Sequence, residues 1–161
     1  HLGDLNILCS FALLPALGTF FVAVGAYDPQ SLLMILPIGL LTVSILHANN
    51  TRDVKTDFQA GLGTITTSVS LMNAKAIYAF EIFAPYALAV LYVVLLGQPW
   101  TLLAVVLTLP LALRNVRTMI QAEDDLPYRG IQRLDQTTAQ LQMAFGLLYA
   151  LGFFLGSWLG V

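Results

Sequence analysis

Long stretches of this sequence carry no charge, and that constrains the chain more than any motif does. Residues 5–27, 29–51 and 136–161 contain no Asp, Glu, Lys or Arg, and residues 76–113 contain only Glu81. A helix needs roughly 20 apolar residues to cross the hydrocarbon core of a bilayer. Each of the first three runs fits one crossing. The fourth is long enough for two, and Gly97-Gln98-Pro99 divides it near the middle. The pattern predicts an all-α, polytopic transmembrane helical bundle with five membrane-spanning helices, over residues 5–26, 31–48, 74–96, 99–116 and 137–159.

Composition excludes the other classes. Of 161 residues, 58% are hydrophobic and 10% charged, with a mean hydropathy of +0.79. A soluble domain carries about 25% charged residues and needs them to cover its surface. The net charge of −2 offers no basic excess for nucleic acid. The single cysteine, Cys9, lies in an apolar run and reads as a small packed hydrophobe. Pro15, Pro37, Pro85 and Pro110 fall inside four of the spans. Membrane helices tolerate them when neighbours re-satisfy the freed carbonyls, so they mark either kinks around a cavity or ordinary kinks.

The charges that do occur are clustered. Of sixteen, four fall between Arg52 and Asp57 and eight between Arg114 and Asp135. All seven basic residues lie in, or at the edge of, the loops after the second and fourth spans. In a five-helix chain those loops share one side of the membrane, and the positive-inside rule assigns that side to the cytoplasm. No signal-peptide pattern is visible, and the chain opens on His1 and enters a span almost at once.

The chemically dense segment is His47-Ala-Asn-Asn-Thr-Arg-Asp-Val-Lys-Thr-Asp57. Asn49, Asp53 and Asp57 stand at i, i+4 and i+8, one face of a helix if the second span continues. Two aspartates so placed repel, and a membrane edge makes a bare carboxylate costly. A divalent cation offsets both, and Mg²⁺ binds through one or two carboxylates plus substrate phosphates. Asp53 and Asp57 are therefore the candidate catalytic metal ligands. Asn49 and Asn50 offer neutral oxygens or amide donors, and Arg52 and Lys55, on neighbouring faces, are candidate contacts to phosphate oxygens. The bland alternative is a solvated interfacial loop that neutralises itself.

This segment, followed by Ala60-Gly61, resembles the second aspartate-rich motif of UbiA-type membrane prenyltransferases. The doubled Asn and the Arg before the first Asp look most like the 1,4-dihydroxy-2-naphthoate polyprenyltransferase (MenA) branch. Leu2-Gly3-Asp4-Leu5, the run ending at Arg114, Thr138-Ala139-Gln140-Leu141 and Phe145-Gly146-Leu147-Leu148 are similar to that branch too. The resemblance spans residues 1–161 as the C-terminal half of such an enzyme, its partner being the N-terminal half with the first motif. It implies Mg²⁺ on Asp53 and Asp57, Asn49 and Asn50 lining the site, Arg52 and Lys55 as diphosphate contacts, a polyprenyl diphosphate donor and an aromatic acceptor, 1,4-dihydroxy-2-naphthoate, in menaquinone biosynthesis, with the fragment inactive alone. The sequence departs from the pattern where many relatives are basic, at Phe58 and Leu62-Gly63. Alternatives are a UbiA-type transferase for 4-hydroxybenzoate or a chlorophyll or haem precursor, and a transporter whose carboxylates hold an ion.

Other residues stand out less. Glu81 sits inside a span and either pairs, with Lys75 in reach, or lines a cavity. His47 reads as a packed histidine or a substrate contact. Tyr78, Tyr86 and Tyr92 share roughly one face and either pack or shield a cation. Residues 121–135 form a connector or a lid, and Gln136 and Thr138 read as helix-start residues.

Overall fold

The computed structural model describes residues 3–123 and 128–161. Leu2 of the first matching stretch and the Asp124-Asp125 pair of the connector lie outside the described residues. The order is α1 (Gly3–Leu8), a π-helical turn (Cys9–Leu13), α2 (Leu14–Val24), α3 (Pro29–Gln59), α4 (Ile65–Ser68) and α5 (Leu71–Leu96). A 3₁₀ helix (Trp100–Thr108), α6 (Leu109–Ile120), α7 (Tyr128–Ile131) and α8 (Leu134–Leu159) follow. No strand occurs among the described residues. Five segments are long and apolar enough to cross a membrane: Leu5–Val24, Pro29–Gln59, Leu71–Leu96, Trp100–Ile120 and Arg129–Leu159.

The helix boundaries follow local chemistry. Asp28 caps α3 by accepting the Gln30 N–H at 3.0 Å, with Pro29 pre-set at the first helical position. Gly97 ends α5 in the left-handed conformation at φ 62°, so the longest apolar run turns where Gly97-Gln98-Pro99 predicted. Pro37 and Pro85 sit inside continuous helices. Pro15 and Pro110 each fall in the first turn of a new α-helical piece, where a missing N–H costs little. The turns before them wind as π and as 3₁₀ helix.

The core lies among α3, α5, the 3₁₀ helix and α8, with Leu41, Tyr78, Ile82, Leu102, Leu141 and Phe145 fully buried. Backbone meets backbone where α8 crosses the 3₁₀ helix. A Cβ on Gly152 would lie 2.9 Å from Leu102 Cα and from Thr101 O, and one on Gly156 2.3 Å from Pro99 Cβ. The Thr101 hydroxyl donates to Gly152 O at 2.6 Å across that contact. Small residues four apart permit this approach, and dispersion holds helices together where no hydrophobic gain exists in lipid.

Two contacts put both charged loops on one face of the bundle. Lys75 Nζ donates to Ile120 O at 3.0 Å and Ala122 O at 2.5 Å, and Arg52 reaches Asp135. The expectation that Gln136 and Thr138 open the last helix is corrected. α8 starts at Leu134, and Thr138 lies a turn inside it, donating to Leu134 O at 2.6 Å.

Candidate functional site

The second span does not stop where its apolar run ends. At 1.5 Å per residue, the 31 residues of α3 extend about 46 Å, well beyond a hydrocarbon core of about 30 Å. The surplus carries the polar motif from Asn49 to Gln59 as helix rather than loop. Gly61, at φ 71°, then ends it in the left-handed conformation.

Continuing the helix puts Asn49, Asp53 and Asp57 on one face. Arg52 Nε and Nη2 donate to the two oxygens of Asp53 at 2.9 and 2.8 Å, a bidentate fork. Nη2 also donates to Asn49 Oδ1, and Nη1 donates at 2.9 Å to Asp135 Oδ2 in the first turn of α8. Arg52 is thus the hub joining Asn49, Asp53 and a helix 83 residues away. Among the described residues, no hydrogen bond or ion pair engages the Asp57 carboxylate.

The remaining motif residues part company. Lys55 is two residues from each aspartate, hence on the opposite side of the helix. There it lines a cleft with Thr51, Val54, Thr66 and Val69. Asn50 is turned inward and buried. Arg52 joins the aspartate face, and Lys55 does not.

Two apolar recesses lie beside α3. One of about 290 Å³ is walled by Ile7, Phe11, Ile45 and Leu46, with Asn49 and Asp135 at its polar end. The other, about 860 Å³, runs between the first span, α3 and α8 past Pro15, Met34, Ile38, Tyr149 and Phe153. Phe11 lines both, so they adjoin along α3.

Sequence reasoning missed the pair His47 and Glu81. Their side chains, 0% and 7% exposed, approach to 3.4 Å between α3 and α5. Glu81 is therefore a partner of His47, while Lys75 serves carbonyls instead. The signal available was a lone acidic residue in one span and a lone imidazole in its neighbour. The tyrosines pack: Tyr78 shares a 2.6 Å hydrogen bond with Thr138, Tyr86 one of 2.7 Å with Thr108, and Tyr92 donates to Leu33 O at 2.6 Å.

The donor set fits a hard divalent cation in part. Asp53 and Asp57 offer carboxylate oxygens on one face, as Mg²⁺ requires. Both Asp53 oxygens are held by Arg52, which must yield first. Among the described residues no cluster of three or more His, Cys, Asp or Glu side chains forms, so the two carboxylates by themselves do not complete a cation's coordination.

The chain is 34% identical over 158 residues to UbiA prenyltransferase domain-containing protein 1 of Xenopus tropicalis, covering 96% of this chain and 42% of that protein. It is 31% identical over 156 residues to the Homo sapiens protein of the same name, covering 96% and 43%. It is 34% identical over 154 residues to the Drosophila melanogaster homolog, covering 92% and 39%. The chain thus spans less than half the length of these relatives. They support the wider resemblance and not the naphthoate branch, since none of their names specifies an acceptor. The profile of the UbiA prenyltransferase family matches residues 1–130, and the chain belongs to that family.

Proposed function

We propose that this chain supplies one aspartate-rich wall of a membrane prenyltransferase that moves a polyprenyl group from its diphosphate to a hydroxylated aromatic acceptor. The observation that carries the reading is the α3 extension: Asn49, Asp53 and Asp57 on one face, the first two clasped by Arg52, at the head of an apolar recess. Asp53 and Asp57 would hold Mg²⁺, which when bound neutralises charge on a departing diphosphate. Arg52, once it releases Asp53, offers a planar fork to phosphate oxygens. Asn49 orients that fork. Asn50, turned into the core, supports the helix from behind, and Lys55 meets diphosphate only by approach from the far side of α3.

The apolar recesses support a long isoprenoid tail. From Asn49 down to Ser31 the wall of α3 runs 18 residues, about 27 Å. Water kept out of such a groove cannot quench an allylic cation. The charged face is read as cytoplasmic, from the placement of the lysines and arginines.

The acceptor is the open variable. The motif favours 1,4-dihydroxy-2-naphthoate and menaquinone synthesis, while the relatives leave room for another hydroxylated aromatic. The test uses the full-length protein in membranes with Mg²⁺, a polyprenyl diphosphate and a panel of acceptors. Asp53→Asn and Asp57→Asn are each expected to lower turnover at least about 100-fold with unchanged membrane insertion. Normal turnover in both variants would end the metal assignment. Transfer to 4-hydroxybenzoate alone would end the naphthoate assignment and keep the family reaction.

A further inference from the structure

Asp135 belongs to no motif, yet it is the residue that ties the site to a second helix. Its Oδ2 accepts from Arg52 Nη1 at 2.9 Å, and its Oδ1 accepts the Gln136 N–H at 2.9 Å. That second bond orients the carboxylate so that one oxygen faces Arg52. It stands in the first turn of α8, beside the backbone N–H groups at that helix's N-terminal end. Arg52 and Asp135 are both about one-fifth exposed, 24% and 22% for the side chains, so the pair is partly shielded from water.

The Asp53 fork poses a problem that Asp135 solves. Arg52 occupies both Asp53 oxygens, so a cation that takes Asp53 must displace the guanidinium. Were Asp53 its sole anionic partner, Arg52 would then swing free and be repelled by the arriving metal. Asp135 holds it from the other side. We propose that Asp135 is a positioning residue: it keeps Arg52 anchored at the mouth when Asp53 turns to a divalent cation, and presents the guanidinium to the donor's diphosphate. The identity of that anion rests on the prenyl-transfer reading; the tether itself rests on the contacts.

The test uses the purified full-length chain, Mn²⁺ as a paramagnetic probe and inorganic pyrophosphate as the anion, with free Mn²⁺ read by electron paramagnetic resonance. Asp135→Asn is expected to weaken Mn²⁺–pyrophosphate binding about 10-fold. In an Arg52→Ala background the same change should alter binding less than about twofold, because the tether has nothing to hold. Asp135→Glu should restore most of the affinity. Without pyrophosphate, Arg52→Ala alone should bind Mn²⁺ more tightly than wild type, since Asp53 is released.

An equal loss in both backgrounds would show Asp135 acting by its own charge or through the fold, and would overturn the tether. So would an unchanged affinity in Asp135→Asn, or a wild type that binds no Mn²⁺. A melting curve for each variant identifies any misfolded protein, and Asp135→Glu then carries the comparison. A parallel transfer assay separates the two claims. Coupling without transfer to any acceptor sinks the reaction and keeps the tether, while transfer without coupling does the reverse.

Discussion

The two ends of α8 are built differently. Its C-terminal half meets the 3₁₀ helix through glycine, with Gly152 and Gly156 leaving no room for a methyl group against Leu102, Thr101 and Pro99. Its N-terminal end meets α3 and α5 through polar groups: Asp135 on Arg52, and Thr138 on Tyr78. The first contact is fixed by shape and cannot be exchanged without moving backbone. The second consists of hydrogen bonds and an ion pair, and its partly exposed member, Arg52 with Asp135, can be traded for a ligand's groups. A rigid base with an exchangeable mouth suits a site that must admit a charged substrate at the membrane edge and still hold its walls in register.

The largest effect that would break this contrast lies at the base. Gly152→Leu should cost about 3 kcal/mol or more, because the new side chain meets backbone atoms that cannot rotate away. Thermal unfolding of the solubilised protein measures it. Gly146→Ala is the control: its Cβ would meet only Ile38 Cδ1 at 3.6 Å, ordinary contact, and should change stability by less than about 0.5 kcal/mol. Equal losses at the two glycines would show that the close crossing is not what holds α8.

A middle-sized effect lies between base and mouth. Glu81→Ala takes away the carboxylate nearest the buried His47 ring and should destabilise by about 1–3 kcal/mol. A double-mutant cycle with His47→Ala should return a coupling of about 0.5–3 kcal/mol. Additive losses would mean that the two are neighbours without an interaction. The smallest effect belongs to the buried polar contact at the N-terminal end of α8. Tyr78→Phe should cost about 1 kcal/mol, since the Thr138 hydroxyl keeps its bond to Leu134 O and is not orphaned. A loss as large as that at Gly152 would erase the distinction between the two ends.

Much of the fold was legible because a bilayer is a simple solvent. It demands about 20 apolar residues per crossing and excludes charge, so the uncharged runs located five spans. The expected ends differed from the observed ones chiefly where helix continues past the apolar run, as at Gln59, because backbone hydrogen bonding does not stop at the membrane edge. The shared face of Asn49, Asp53 and Asp57 was legible for the same reason, helical periodicity being local. Periodicity also sets Lys55 opposite the aspartates, but it leaves Arg52 and Lys55, three apart, as neighbours, and it is the contacts that show Arg52 reaching round to Asp53 and Asn49.

What sequence alone determined is therefore whatever depends on neighbours along the chain: spans, the turn at Gly97, the clustering of charge, the face of the motif. What only the tertiary structure decided depends on residues far apart. Arg52 meets Asp135 across 83 positions, His47 meets Glu81 from another helix, and Gly152 meets Thr101 because two backbones approach closely. A single sequence carries no record of such pairs, since many side chains share each local pattern and only packing selects which of them touch.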